Sequence, residues 1–174
     1  MEHPNVPALQ KYGLKILKEY DLFKTRKAFT YDFELSDDNI IKFLKETLDI
    51  PDISDKFEII RKTFNTDDNL KFHIDDCQIV KMKTPPTYNI DKYIHLEGNK
   101  YFFFKNKFNC LPKLTILFYS SDYGVDFTGG ILTLADGVEI IAKKNTGFML
   151  DSREAHMVTP VKSGERKTTL VKIY

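Results

Sequence analysis

The chain has 174 residues, and its 26 Lys and Arg residues against 25 Asp and Glu residues give a formal net charge of +1. This balance excludes a polybasic nucleic-acid-binding tail or an acidic tail as the organising feature. Hydrophobic residues make up 42% of the chain and aromatic residues 13%, which is too apolar for a disordered protein. A single domain over residues 1–174 is therefore expected.

The sequence carries no visible membrane or export signal. Charged or amide residues interrupt every apolar run before it reaches the roughly 18 residues that a membrane span needs. The segment Met1–Asn5 has neither the basic nor the apolar region of a secretory signal. These features predict a soluble, intracellular protein, most simply cytoplasmic, with no membrane partner. In that compartment Cys77 and Cys110 are predicted to be reduced thiols.

The first 69 residues are predicted to form a helical support that includes one strand. Apolar residues at spacings of three and four predict a helix over Pro7–Tyr20. The alternating segment Arg26–Leu35 has the period of a half-buried strand. Ser36 can cap a second helix that extends towards Pro51, and Ser54–Phe64 is predicted as a further short helix.

Residues 70–174 are predicted to form a β-rich core. β-Branched and aromatic residues cluster there in short runs that Pro, Gly, Asn and Asp separate, which is typical of a sandwich or small barrel. The predicted strands are Leu70–Met82, Lys100–Phe104, Leu114–Ser120, Ile131–Ala135, Val138–Ala142, Thr146–Leu150, His156–Val161 and Lys167–Tyr174. The segment Lys83–Asn99 does not fit a strand, and its Pro85-Pro86 pair indicates a loop.

Three residues of the β-rich part have the chemistry of a metal site. His73 and Asp75 are two residues apart, so on a strand both side chains point to the same face. His156 on another strand can complete a two-histidine, one-carboxylate set, which leaves coordination positions open for a bidentate cosubstrate and dioxygen on Fe(II). Arg166 follows on the next predicted strand, where its guanidinium can bind a carboxylate in bidentate fashion.

With the turn and strand Gly129–Leu132 and the segment HMVTPVKSGER that begins at His156, these residues resemble the Fe(II)- and 2-oxoglutarate-dependent dioxygenases. Within them the sequence is most similar to the prolyl 4-hydroxylase-like group, over about residues 70–174. The resemblance implies a mainly β fold with N-terminal helices, a double-stranded β-helix of the jelly-roll or cupin-like type. It implies Fe(II) ligation by His73, Asp75 and His156, and binding of 2-oxoglutarate by Arg166, Thr168 and Tyr119, with ascorbate as a candidate reductant.

Two alternatives remain open in this assignment. Phe118 or Thr115 takes the place of Tyr119 if the strand register differs. His95 and Glu97 form a second His-x-carboxylate pair that lies closer to the Gly-Gly turn, whereas His73 implies an inserted loop over residues 83–109. The same HxD-type spacing thus occurs twice, and we favour His73 with Asp75 because aspartate is the commoner carboxylate in this family.

The function that the resemblance implies is hydroxylation of a substrate C–H bond, with dioxygen as cosubstrate. The Gly-Gly-Ile-Leu motif favours a protein or peptide substrate and a residue such as proline, and the near-zero net charge disfavours a nucleic acid. The alternatives are a dioxygenase acting on a small molecule or nucleobase, and a non-catalytic jelly-roll or cupin-like binding module, because a fold does not guarantee an activity.

Overall fold

In the computed structural model of the chain, the described residues are 25–48, 50, 56–84, 93–95, 98–106, 108, 112–152 and 154–174. Within these ranges the chain forms one α-helix and fourteen β-strands. In chain order they are β1 (Lys27–Thr30), α1 (Asp37–Glu46), β2 (Phe57–Phe64), β3 (Leu70–His73), β4 (Cys77–Lys81), β5 (Tyr93–His95), β6 (Lys100–Phe104), β7 (Leu114–Tyr119), β8 (Phe127–Gly129), β9 (Leu132–Leu134), β10 (Glu139–Ile140), β11 (Thr146–Asp151), β12 (His156–Val158), β13 (Val161–Gly164) and β14 (Arg166–Ile173).

Two antiparallel sheets form the framework. The major sheet has the strand order β1-β11-β7-β14-β2, and the minor sheet has the order β10-β9-β12-β3. The chain alternates between them, because β2, β7, β11 and β14 lie in the major sheet while β3, β9 with β10, and β12 lie in the minor sheet. This alternation is the topology of a double-stranded β-helix, so the predicted mainly β fold class is confirmed.

Apolar side chains on both faces of the major sheet hold these layers together. Inside, Phe148 and Leu150 of the major sheet pack with Leu132, Leu134 and Val158 of the minor sheet. Because side chains alternate along a strand, every second residue of the major sheet points to the opposite, outer face, as Ile116 of β7 and Val171 of β14 do. The outer face packs against α1 in a second buried cluster, whose members are Tyr31, Ile40, Phe43, Leu44, Leu48, Ile116, Phe118, Val171 and Ile173.

The helix α1 confirms the prediction that Ser36 begins a helix. The Ser36 hydroxyl accepts a hydrogen bond from the Asn39 amide, and Asp37 and Asp38 in the first turn interact favourably with the positive end of the helix dipole. The helix ends at Glu46, before the expected limit of Pro51. The predicted helix over Pro7–Tyr20 lies outside the described residues.

The predicted helix over Ser54–Phe64 is wrong, because its described part from Phe57 onwards is the strand β2. All eight residues of β2 pair with β14, from Phe57 opposite Ile173 to Phe64 opposite Arg166. Phe57 and Ile59 pack against the outer cluster, and Phe64 packs against the inner apolar residues between the two sheets. Since both faces carry apolar residues, the alternation that marks a strand is hidden in the sequence.

The segment between His73 and Leu114 also differs from the prediction. The expected strand Leu70–Met82 is interrupted at Ile74, where β3 has ended, and Asp76 has a left-handed backbone with φ of 58° before β4 begins. The predicted inserted loop over residues 83–109 contains β5, whereas the strand predicted over Lys100–Phe104 is confirmed as β6. With β4 they form a separate three-stranded sheet in the order β4-β6-β5. Of the two cysteines, Cys77 begins β4 and Cys110 lies outside the described residues, so their redox state stays a prediction.

Candidate metal centre

The minor sheet places the two histidines side by side. His73 is the last residue of β3 and His156 is the first residue of β12, and the antiparallel register pairs them directly. Their ring centroids are 4.5 Å apart. The His-x-Asp spacing alone predicts that Asp75 lies on the same strand as His73. Asp75 lies instead in the turn after β3, and this turn brings its carboxylate back to the two rings.

The three side chains converge on one point. Asp75 Oδ1 lies 3.2 Å from His73 Nε2 and 3.4 Å from His156 Nε2. The three potential ligand atoms all lie within 4.8 Å of one another, and within the described part of the chain this is the one group of three such residues close enough to hold a metal ion. Asp75 and His156 are buried, whereas the His73 side chain is 27% exposed, so the centre opens to solvent on the His73 side.

Backbone carbonyls orient both histidines for metal binding. His73 Nδ1 is 2.6 Å from the Lys71 carbonyl oxygen, and His156 Nδ1 is 2.9 Å from the Glu154 carbonyl oxygen. A carbonyl oxygen can only accept a hydrogen bond, so Nδ1 carries a proton in both rings, and each Nε2 faces the Asp75 carboxylate, where either a proton or a metal ion can bind. The Nε2 lone pairs are then directed at the centre, which is the arrangement that metal-ligating histidines use.

The carboxylate is oriented as firmly as the rings. Thr115 on β7 donates a hydrogen bond of 2.8 Å to Asp75 Oδ2, and its hydroxyl is 2.7 Å from that of Ser152. With Oδ2 held by the threonine, Oδ1 is the oxygen that faces the histidines. No pattern in the sequence predicts this contact, because Thr115 is 40 residues from Asp75 and the contact depends on how the sheets pack.

The electrostatics of the centre suit a cation. Burial opposes ionisation of Asp75, but the charges and hydrogen bonds of His156 and His73 outweigh it and hold the pKa of Asp75 well below its ordinary value. Burial likewise opposes protonation of His156, yet the Asp75 carboxylate raises its pKa overall. A buried carboxylate that draws protons onto its neighbours in this way also attracts a divalent metal, which displaces those protons.

The donor set fits Fe(II). Two imidazole nitrogens and one carboxylate oxygen on one side of an ion leave the opposite positions open, as in non-haem Fe(II) oxygenases. The alternative ligand His95 lies on β5 in the separate three-stranded sheet, is exposed, and has its Nε2 atom 2.7 Å from the Gly98 carbonyl oxygen. Glu97 lies outside the described residues.

A cavity of about 130 Å³ connects this centre to a buried arginine. It lies between the two sheets, and the inner face of β14 contributes alternate residues to its wall. Its lining comprises Lys62, Phe64, Leu70, His73, Asp75, Asp76, Thr115, Leu117, Leu132, His156, Val158, Arg166, Thr168, Leu170 and Lys172.

Arg166 is only 4% exposed, yet it has hydrogen-bonding capacity to spare. Its Nη1 donates to the Thr168 hydroxyl at 3.0 Å, whereas its Nε atom has no hydrogen-bond partner among the described residues. The guanidinium carbon lies 5.6 Å from the ring centre of Phe64 and 5.5 Å from that of Tyr119. Burial lowers the pKa of Arg166, but a guanidinium remains charged at any working pH. A charged donor left unsatisfied in a cavity is suited to an anionic ligand.

Tyr119 is the residue of β7 that lies beside this arginine. Its hydroxyl is buried next to the Arg166 guanidinium, and it makes no hydrogen bond of normal geometry with the described residues. Burial raises the pKa of the Tyr119 phenol despite the opposing charge of Arg166, so the hydroxyl stays protonated and able to donate. Of the two alternatives for this position, Phe118 packs on the outer face and Thr115 binds Asp75.

The Gly-Gly turn allows the chain to pass close to Arg166. Gly129 and Gly130 have φ values of 71° and 58°, a conformation that favours glycine. A Cβ atom on Gly130 would lie 2.9 Å from Cδ of Arg166 and 3.0 Å from Val161. The motif thus has a steric reason in this structure, because its second glycine packs against the arginine side chain.

A second ionic cluster lies directly beside the centre. Asp76 Oδ1 is 2.6 Å from Nζ of the buried Lys172, and Asp76 also accepts hydrogen bonds from Tyr174 and Asn106. Burial lowers the pKa of Lys172, but Asp75 and Asp76 outweigh that effect and raise it overall. These contacts hold Asp76, the residue that follows the proposed ligand Asp75, and join it through Asn106 to the end of the inserted segment.

Solved structures similar to this chain include three prolyl hydroxylases. The collagen prolyl hydroxylase of Paramecium bursaria Chlorella virus-1, in its 2OG complex, has 16% sequence identity and a TM-score of 0.49, covering 96% of this chain and 90% of that chain. A Pseudomonas putida prolyl-4-hydroxylase has 15% identity and a TM-score of 0.44, covering 97% of this chain and 80% of that chain. A Phytophthora capsici prolyl 4-hydroxylase has 16% identity and a TM-score of 0.41, covering 94% of this chain and 52% of that chain. No family model and no curated protein matches the sequence.

The described residues contain no helix with the length and apolar character needed to span a membrane.

Proposed function

We propose that this chain is an Fe(II)- and 2-oxoglutarate-dependent dioxygenase that hydroxylates a C–H bond of its substrate. The observation that carries the proposal is the occurrence, in one cavity, of the His73, Asp75 and His156 group and of the buried Arg166 with an unsatisfied Nε donor. A metal-binding group alone fits many proteins, whereas a buried cation at the other end of the same cavity suits a ligand that carries two acidic ends.

Each residue has a distinct role in this proposal. His73, Asp75 and His156 hold the metal, and Thr115 keeps Asp75 Oδ1 turned towards it. Arg166 binds the distal carboxylate of 2-oxoglutarate with Thr168 and Tyr119 as neighbouring donors, so the cosubstrate is fixed at both ends. When bound, Fe(II) and 2-oxoglutarate supply the oxidising chemistry, in which dioxygen and the cosubstrate yield succinate, carbon dioxide and a hydroxylated product.

The walls of the cavity complete the site. Phe64 and Tyr119 flank the Arg166 guanidinium, and Leu132 and Leu170 are further apolar residues of the lining. Such walls exclude water, which strengthens the ionic contacts of the cosubstrate and protects a reactive oxidant from solvent. The opening on the His73 side is where we place the entry of substrate.

The first test is anaerobic addition of Fe(II) and then 2-oxoglutarate to the purified chain. We expect the visible metal-to-ligand charge-transfer band of a chelated 2-oxo acid. It should disappear in His73→Ala and His156→Ala and persist in His95→Ala. In Arg166→Met the band should require at least about 100-fold more 2-oxoglutarate, because two charge-assisted hydrogen bonds are worth about 3 kcal/mol or more.

A matched control makes this test decisive. Arg61→Met removes an exposed arginine that pairs with Asp37 on the outer face, and it should leave the band unchanged. Absence of the band in the wild-type chain contradicts the proposal, whereas its loss only in His95→Ala shows that His95 and Glu97 are the ligands.

For the substrate we propose a protein or peptide, with proline as the residue hydroxylated. The support is the Gly129–Leu132 motif of the prolyl hydroxylase-like group and the inserted sheet β4-β6-β5, which begins directly after Asp76. Incubation of proline-containing peptides with Fe(II), 2-oxoglutarate and ascorbate should add one oxygen atom to a peptide and form one succinate per hydroxylation. We assign ascorbate the role of keeping the iron ferrous, so without ascorbate hydroxylation should stop after fewer turnovers.

The same assay distinguishes the alternative functions. Peptide binding that survives both His73→Ala and Arg166→Met, with no hydroxylation, indicates a non-catalytic binding module. Succinate formation that only a small molecule or a nucleobase stimulates assigns the activity to another substrate class.

A further inference from the structure

Glu154 lies two residues before the proposed metal ligand His156 and is completely buried. Its backbone and its side chain serve different partners. The carbonyl oxygen accepts the hydrogen bond from His156 Nδ1 at 2.9 Å, whereas the carboxylate turns to Arg26, which donates from Nε to Oε2 at 3.1 Å and from Nη2 to Oε1. The position of the carbonyl that orients His156 is therefore tied to an arginine 128 residues away in the sequence.

Arg26 also binds Asp136, with Nη1 at 2.9 Å from Oδ2 and Nη2 at 3.0 Å from Oδ1. Asp136 lies in the turn between β9 and β10, and β9 pairs with the strand of His156 through Leu134. Arg26 itself directly precedes β1 of the major sheet. One guanidinium thus connects the edge of the major sheet, a turn of the minor sheet, and the connection between β11 and β12 that ends at His156.

The two histidines differ in their need for such support. The carbonyl that orients His73 belongs to Lys71, which is inside β3 and is held by strand geometry. The carbonyl that orients His156 belongs to Glu154, which lies in the connection before β12 and outside any strand. The Glu154 amide donates to the Asp151 carbonyl at 3.0 Å, and the side-chain contact with Arg26 is a second anchor, whereas strand pairing holds Lys71.

We propose that Arg26 is a positioning residue for His156: through Glu154 it fixes the carbonyl that keeps the imidazole proton on Nδ1 and the Nε2 lone pair directed at the metal. This inference rests on the proposed function, in which His156 is a metal ligand. It adds a residue from the N-terminal edge of the major sheet to the determinants of metal affinity. Arg26 does not line the cavity, and its contact with Glu154 is the one that leads to the carbonyl orienting His156.

The test measures tautomer and affinity rather than turnover. Long-range proton–nitrogen NMR spectra of the metal-free full chain, recorded at a pH at which the rings are neutral, report which ring nitrogen of each histidine carries the proton, and titration with Co(II) at the same pH reports metal affinity. In Arg26→Ala we expect His156 to lose its fixed Nδ1–H form while His73 keeps its own, and the Co(II) affinity to fall about 10- to 100-fold. Glu154→Gln keeps an oxygen that accepts from Arg26, so it should retain most of the affinity.

Arg61→Ala is the matched control, since it removes an arginine that also bridges a carboxylate and the chain but lies on the exposed outer face. The inference is overturned if Arg26→Ala binds Co(II) within twofold of wild type, or if the chain is merely less stable and the His156 tautomer is unchanged. Should Arg26→Ala not fold, the double variant Arg26→Gln with Glu154→Gln replaces the ion pair by two amides, and the same two readouts apply.

The outcomes separate this inference from the proposed function. A wild-type chain that binds no Co(II) contradicts the metal centre, and the tautomer measurement then still decides whether Arg26 orients His156. A wild-type chain that binds Co(II) and an Arg26 variant that binds it equally well contradict only the role of Arg26.

Discussion

Replacement of Thr115 by valine tests how the carboxylate of the centre is held. Valine has nearly the same shape, so the change removes the hydroxyl and little else. It deletes the 2.8 Å hydrogen bond to Asp75 Oδ2 and the 2.7 Å contact with Ser152. A hydrogen bond to a charged group contributes about 1.5–3 kcal/mol, and one between neutral groups about 0.5–1.5 kcal/mol. Because Asp75 and Ser152 are both buried, we expect the free energy of unfolding to fall by about 2–4 kcal/mol.

Urea unfolding of the metal-free chain measures this loss, and Co(II) titration measures its effect on the metal centre. A freed Asp75 can rotate, so we expect the Co(II) affinity to fall about 10- to 100-fold. Thr169→Val is the matched control, since Thr169 is also buried on a strand of the major sheet but makes neither of the contacts that Thr115 makes with Asp75 and Ser152. If both variants lose the same stability and bind Co(II) equally, Thr115 does not orient Asp75 and the reasoning fails.

Three further predictions concern the cavity and the histidines. Tyr119→Phe removes a buried hydroxyl that makes no hydrogen bond of normal geometry with the described residues, so the ligand-free chain should gain about 1 kcal/mol in urea unfolding while its affinity for 2-oxoglutarate falls about tenfold; equal 2-oxoglutarate affinity would show that this hydroxyl does not touch the cosubstrate. Gly130→Ala should lower 2-oxoglutarate affinity by displacing Arg166 and destabilise the chain by more than about 1–2 kcal/mol, whereas Gly137→Ala, with φ of 88° and no atom within 4 Å of the new Cβ, should show the backbone strain alone. Co(II) affinity should rise with pH across the titration of His156, because a proton competes with the metal for Nε2 and the pKa of His156 is raised. As the pH rises through the same interval, the metal-free chain should lose the stability that the protonated His156 contributes. A pH-independent Co(II) affinity would exclude His156 as a ligand.

Part of the site follows from local geometry. Arg166 and Thr168 face the same cavity because alternate residues of one strand always share a face. Their partners could not be found in this way. Thr115 reaches Asp75, and Arg26 reaches Glu154, only through the packing of distant segments, so neither contact leaves a pattern in the sequence.

The errors in the fold have the same origin. The segment Phe57–Phe64 was predicted as a helix because the pairing with β14, which makes it a strand, involves residues more than 100 positions away. The strands β8 and β13 escaped prediction because they are short and end in glycines whose φ values of 71° and 75° belong to turns. The helix α1, by contrast, has its cap and its apolar stripe within one short stretch and was predicted correctly in type and start.

The position of the inserted sheet bears on how this protein can be altered. Strands β4, β5 and β6 hydrogen-bond only to one another in the described ladders, and the backbone of the segment returns to the barrel where the Lys105 amide donates to the Asp76 carbonyl at 2.7 Å. A graft that begins after Asp76 and ends before Lys113 therefore leaves every backbone ladder of the two main sheets in place. We expect the insert to be exchangeable when its replacement again satisfies Asp76 and covers Tyr174, which Asn106 and Phe108, respectively, now contact.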